Sequence, residues 1–230
     1  MRASKRPIEQ LPEPLPAEPM AMLGTWLAQA TREKISPNPN AMTLATVDAS
    51  VSPPEPDART VLCKDLDTEN GIIVFYSNYH SAKGRQLDRV SCATAVFHWD
   101  AYDLQARIRG PVTRCPVVES DDYFNSRPLL SRLGAWASKQ SQPVASREAL
   151  LQQLEDIKAR FDIKNPRDPA EDKVIPRPEN WGGYRLWARN VELWIGQRGR
   201  LHERGKWWRE LTPEADKMIS GPWQSRRLQP

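Results

Sequence analysis

The chain has 230 residues, 39% of them hydrophobic, with 33 Lys and Arg against 29 Asp and Glu and a formal net charge of +4. That length admits one large domain or two small ones, and so mild and scattered a charge makes no case for nucleic acid while remaining compatible with an anionic small molecule. No apolar stretch approaches the ~20 residues a membrane helix needs, and no apolar signal-peptide core follows the charged N-terminus, so a cytoplasmic protein without membrane contact is expected.

Proline clusters at 7–19, 37–56 and 166–178 predict an arm and two long loops. Residues 1–15 are expected to be a flexible arm, disordered or draped over a surface, and residues 16–230 a single domain. From Glu18 to Ile35, Met20, Leu23, Leu27 and Ala30 recur at helical spacing, and Pro37 stops the helix. Strand-like runs follow at 42–48, 58–64, 71–77, 91–99 and 104–112, separated by turn-rich stretches. A helical middle spans 120–127, 130–138 and 147–161. In its last helix Ser146 is the expected N-cap and Leu150, Leu151, Leu154, Ile157 and Phe161 form the apolar stripe. Strands at 183–187, 191–197, 206–210 and 223–228 end the chain. Short strands in succession argue for an antiparallel sheet or barrel with flanking helices, a mostly β (α+β) fold. Without a glycine-rich phosphate loop, a Rossmann or P-loop nucleotide site is not expected. The three cysteines, Cys63, Cys92 and Cys115, have no ligand spacing, so buried thiols and no metal are expected.

Three constellations carry chemistry. In the run Arg200-Leu201-His202-Glu203-Arg204, an extended strand would turn Arg200, His202 and Arg204 to one face, and Trp194 shares their parity. Such a wall suits a flat anionic ligand, and its plain alternative is a solvated basic edge. In the segment from Asp122 to Ser131, Tyr123 and Arg127 stand four apart, as on one helix face, and Ser131 falls near the start of the next helix after Pro128. A helix start with Arg, Tyr and Ser offers donors to a phosphate, although a Tyr/Arg pair is also an ordinary surface feature. Arg59 and Lys64 lie in one apolar run but on opposite parity, which implies a bulge or two ligands, and Lys83 ends a Ser/Asn-rich turn.

From about residue 16 to the end, the chain resembles the pyridoxamine (pyridoxine) 5′-phosphate oxidase family of FMN-binding split barrels. The resemblance lies in Asn40-Ala41-Met42 with Ala45-Thr46-Val47-Asp48, Arg59 to Lys64, Phe75-Tyr76-Ser77-Asn78 and Tyr123 to Pro128. It continues in Gly134 to Ser141, Trp181-Gly182-Gly183-Tyr184-Arg185, Arg200 to Arg204, and the closing Arg227-Leu228-Gln229-Pro230. The resemblance implies an antiparallel Greek-key split β-barrel that binds FMN through Arg59, Thr60, Val61, Leu62, Cys63, Lys64, Tyr76, Ser77, Lys83, Gln105, Gln140, Ser141, Trp194 and Arg204. Arg59, Lys83 and Ser141 would meet the FMN phosphate. It assigns the phosphate of a phosphorylated pyridine substrate to Lys64, Tyr123, Arg127 and Ser131, and places Arg200 and His202 as catalytic residues beside the reacting C4′ substituent.

The activity so implied is oxidation of pyridoxamine or pyridoxine 5′-phosphate to pyridoxal 5′-phosphate with dioxygen as acceptor, by a homodimer holding FMN at its interface. The alternatives in the same fold are an FMN-dependent oxidase of reduced phenazine precursors, which has no use for the full phosphate clamp, and a non-catalytic flavin- or haem-binding barrel. The chain departs from the family pattern at Ala82, where a basic residue is common, and at Glu13-Pro14-Leu15-Pro16, which stands near the place of an Arg-rich lid. Residues 52–57 and 168–174 read as small insertions.

Overall fold

A computed structural model describes residues 7–168, 173–215 and 217–230. Expectations for residues 1–6 and for 169–172 lie outside them. By compactness the chain forms two units, one from the residues up to Phe75 with 90–113 and 185–230, the other from 76–89 and 114–184.

In the first unit, helix α1 (Met20–Glu33) begins where the Glu18 carboxylate accepts from the backbone N–H groups of Met20 and Ala21, at 2.8 and 3.3 Å. A carboxylate is favoured at that end because the free N–H groups carry partial positive charge. The buried face is Met20, Leu23, Trp26 and Ala30, so Trp26 takes the place expected of Leu27. Strands β1 (Ala41–Asp48), β2 (Glu55–Leu62), β3 (Asp65–Asp67), β4 (Ile72–Asn78), β5 (Cys92–Trp99) and β6 (Leu104–Arg114) follow. After the second unit's helices come β7 (Trp181–Trp187), β8 (Asn190–Ile195), β9 (Glu203–Trp208), the small hairpin β10 (Leu211–Glu214) with β11 (Lys217–Ser220), and β12 (Gln224–Leu228). Seven strands of the main sheet run β12-β9-β8-β6-β5-β1-β2, each antiparallel to its neighbour.

Alternation decides which side of this sheet is core. In β6, Leu104, Ala106 and Ile108 are buried while Gln105, Arg107 and Arg109 face the other way. Leu44, Phe97, Leu193, Ile195 and Trp207 join the same core. The described part of the arm lies on this unit. Leu11 is buried, and its N–H donates to a Glu203 carboxylate oxygen at 2.7 Å. Arg227 donates to the carbonyls of Leu11 and Pro12, and Trp207 Nε1 to that of Pro16.

The second unit holds α2 (Ala82–Arg89), α3 (Val117–Asn125), α4 (Leu129–Ala137) and α5 (Arg147–Arg160). Its core is Phe124, Leu129, Leu133, Ile163, Ile175 and Trp181. Ser146 caps α5 by accepting from the N–H of Ala149 at 3.1 Å. Leu154, Ile157 and Phe161 pack against the core, but Leu150 and Leu151 stay exposed, so the expected stripe is only partly used. Among the described residues no helix is long and apolar enough to cross a membrane, and no group of three His, Cys, Asp or Glu is placed to hold a metal.

Candidate active site

Each unit contributes its own set of candidate residues. In the second unit, α3 stops at Asn125 because Pro128 cannot continue it, and Arg127 sits in the intervening turn, its N–H on the Phe124 carbonyl at 3.2 Å. Tyr123 and Arg127 are therefore not an i/i+4 pair on one helix, which corrects the expectation. The Arg127 guanidinium lies over the Trp181 ring, 4.6 Å from its centroid, and its Nη1 is buried without a hydrogen-bond partner. Burial also pulls its pKa below the usual arginine value, although a guanidinium keeps its charge throughout the physiological range. Beside it opens a cavity of about 320 Å³ lined by Asn78, Arg127, Ser131, Ser138, Gln140 and Trp181, among others. Ser131 stands in the first turn of α4. A guanidinium lining a cavity without an anionic partner, beside a hydroxyl at a helix start, is a donor set for an anion.

The wall behind this cavity is aromatic. Tyr76 stacks on Tyr123, centroids 3.9 Å apart, and on Trp181 at 5.5 Å, the three rings being nearly parallel. Gly182 and Gly183 make this closeness possible. A Cβ on Gly183 would meet Cys115 Sγ at 2.6 Å and Tyr76 Cε1 at 2.9 Å, and one on Gly182 would strike Tyr79 Oη at 2.0 Å.

Lys83 is not in a turn, as expected, but in the first turn of α2, with 6% exposure. Its ammonium donates to the hydroxyls of Ser77 at 3.0 Å and Ser81 at 3.2 Å, and Ser77 donates on to Gln140 at 3.3 Å. A buried ammonium beside hydroxyls can give a phosphate oxygen a charge-assisted hydrogen bond. Ser141, next to Gln140, is exposed with φ 68°.

In the first unit, cross-strand register brings Gln105 opposite Trp194 and Trp194 opposite Arg204. Arg204 donates to Glu192 Oε1 from Nε at 3.0 Å and Nη2 at 2.8 Å, while Arg107 holds the other oxygen. The His202 ring lies 4.6 Å from Trp194, and its Nδ1 accepts from the N–H of Gln197 at 3.1 Å. That bond fixes the neutral tautomer with the proton on Nε2. Arg200, however, is not on the strand. β9 begins at Glu203, and Arg200 is exposed in a short turn with φ 62° after Gly199 at φ 68°. The single extended wall expected over 200–204 is thus replaced by a turn, and Trp194, His202 and Arg204 meet across strands instead.

Arg59, Thr60, Val61 and Leu62 lie in β2, where Arg59 ion-pairs with Asp57 and also donates to Thr46 and the Leu44 carbonyl. β2 ends before Lys64, so the parity conflict between Arg59 and Lys64 does not arise. Lys64 is exposed, with its N–H on the Val74 carbonyl at 2.8 Å. Burial pushes the Cys63 thiol up to about 12, which leaves it no thiolate for chemistry. Sequence reasoning missed Trp181, Asn78 and Ser138 as cavity residues and Glu192 as the partner of Arg204. An acid between Val191 and Leu193 in an apolar strand was a usable signal, since a buried carboxylate needs a cation.

Comparison with known proteins identifies the family. Residues 27–161 match the family model described as pyridoxamine 5′-phosphate oxidase, and residues 181–230 match the pyridoxine 5′-phosphate oxidase C-terminal dimerisation region. A pyridoxine/pyridoxamine 5′-phosphate oxidase of Paracoccus denitrificans (strain Pd 1222) is 42% identical over 224 residues, covering 93% of this chain and 95% of that protein. One from Nocardia farcinica (strain IFM 10152) is 47% identical over 183 residues, covering 80% and 76%. Among solved structures, PhzG from Burkholderia lata 383, in complex with tetrahydrophenazine-1-carboxylic acid, superposes with a TM-score of 0.74 at 26% identity over 94% of each chain. A pyridoxamine 5′-phosphate oxidase-related, FMN-binding protein from Nostoc punctiforme shares the fold, with a TM-score of 0.61 at 17% identity over 87% of this chain and 93% of that one. With both segments matched in order and relatives above 40% identity over most of their length, the chain belongs to the pyridoxamine 5′-phosphate oxidase family.

Proposed function

We propose that this chain is an FMN-dependent oxidase converting pyridoxamine 5′-phosphate and pyridoxine 5′-phosphate to pyridoxal 5′-phosphate, working as a homodimer. The observation that carries this reading is Arg127, which lines a cavity with Ser131 and has a buried Nη1 without a partner, since this suits a substrate bearing a phosphate or similar anion. The residues that the family resemblance assigns to the flavin nucleotide are Tyr76, Ser77, Lys83, Gln140 and Ser141, and Arg59 to Lys64, Gln105, Trp194 and Arg204. Bound there, FMN would supply the two-electron redox chemistry, accepting hydride equivalents from C4′ and passing them to dioxygen as hydrogen peroxide.

The protein's share is binding and alignment. Lys64, Tyr123, Arg127 and Ser131 hold the remote phosphate, and that grip fixes the pyridine ring without touching the reacting carbon. His202 presents an Nε2–H because its Nδ1 is taken by the Gln197 amide, so in this state it donates a hydrogen bond to the C4′ substituent rather than accepting a proton. Arg200 supplies a cation from its turn. Incubating purified protein with FMN, pyridoxamine 5′-phosphate and dioxygen tests the proposal. It predicts one pyridoxal 5′-phosphate and one ammonia per hydrogen peroxide, and absence of product with FMN bound would refute it.

The superposition with PhzG supports a second reading, oxidation of reduced phenazine precursors. The ligand in that structure carries a carboxylate and no phosphate, so the two readings separate on which of the two substrates reduces the FMN-loaded protein.

A further inference from the structure

We propose that Trp181 is a positioning residue for the phosphate grip, its ring face holding the Arg127 guanidinium so that the cation stays in place without any of its N–H donors being used. The inference rests on the reading of Arg127 given above. Arginines that must be held near a site are commonly tied by a carboxylate, as Arg177 is by Asp121 and Arg204 by Glu192 in this chain. A carboxylate at Arg127 would fill its donors and cancel the charge that an incoming phosphate needs. A π face attracts a cation through the ring quadrupole without cancelling its charge.

The geometry fits that role. The guanidinium carbon lies 4.6 Å from the Trp181 centroid and 5.9 Å from that of Phe124. Trp181 is itself locked, with 7% exposure, Phe124 edge-on at 5.3 Å, and Tyr76 and Tyr123 stacked parallel to it. The ring plane is therefore set by the unit's core, and the guanidinium above it inherits that orientation. Trp181 and Arg127 both line the cavity, so the contact that holds the guanidinium lies at the cavity's edge.

Fluorinated tryptophans at position 181 test this directly, because fluorine drains the ring quadrupole while nearly preserving shape. Each fluorine is expected to raise KM for pyridoxamine 5′-phosphate, to roughly 10-fold at three fluorines, the scale of a partly desolvated cation–π contact. kcat, the bound-flavin spectrum and the melting temperature should hold constant, and in an Arg127→Ala background the same series should be flat. W181F should retain most of the affinity that W181L loses. A KM indifferent to fluorination, in an enzyme that still prefers phosphorylated over unphosphorylated substrate, would overturn the role of Trp181. An enzyme without that preference would instead overturn the assignment of Arg127, and the inference with it.

Discussion

Glu192 offers a measurable link between stability and the flavin side of the site. Its carboxylate, with the side chain only 7% exposed, joins Arg204 on β9 to Arg107 on β6, and Arg204 is among the residues proposed to hold FMN. Replacing it by Ala removes charge-assisted hydrogen bonds worth about 1.5–3 kcal/mol each in favourable cases. Breaking a fully buried pair costs about 3–5 kcal/mol because the remaining charge is stranded. Here the stranded groups are 28% and 51% exposed, so water recovers part of that loss, and about 2 kcal/mol is the expected net effect of E192A. For a chain of this size that is a fall in Tm of about 4–8 °C. E192Q, which can still accept from Arg204, should lose about half as much. Thermal melts read by circular dichroism give the stability, and flavin fluorescence after gel filtration gives FMN retention, which should drop with Arg204 freed. If E192A melts within a degree of the parent and holds FMN equally well, neither the bridge nor the role of Arg204 is as described.

Arg127→Ala should raise KM for phosphorylated substrate roughly 100-fold, as expected for losing a hydrogen-bonded charge, with FMN retention unchanged by fluorescence. His202→Ala should lower kcat, whereas His202→Asn, whose amide can still donate, should recover part of it in steady-state assays. Gly84→Ala puts a Cβ 1.9 Å from the Tyr79 carbonyl oxygen, a backbone atom that cannot step aside, so soluble yield and Tm should both collapse. Cys63, its pKa raised to about 12 by burial, stays a protonated thiol through the whole working pH range. Mass spectrometry should find it unalkylated at pH 8 in native protein and labelled once the protein is unfolded.

The strands were legible because alternation in segments such as Leu104 to Val112 is a direct image of a half-buried sheet. α2 was not, since Lys83, Gly84, Arg85 and Gln86 present no apolar period, and Lys83 and Gln86 are nonetheless buried. The hairpin β10–β11 escaped because its strands are short and mostly exposed, with no alternation to mark a buried face. At Arg200 to Arg204 period-two reasoning failed at Gly199, where a left-handed turn resets the direction of the chain. Within the site, charged residues drew attention while Trp181 did not, because an aromatic ring in a strand looks the same whether it packs a core or carries a cation.

Anaerobic addition of pyridoxamine 5′-phosphate to the FMN-loaded protein bears most directly on the proposed activity. The yellow flavin absorbance should bleach completely with one equivalent of substrate, return on admitting air, and require far higher concentrations of unphosphorylated pyridoxamine. A flavin that stays oxidised in phosphorylated substrate, or that bleaches as readily without the phosphate, would contradict the account.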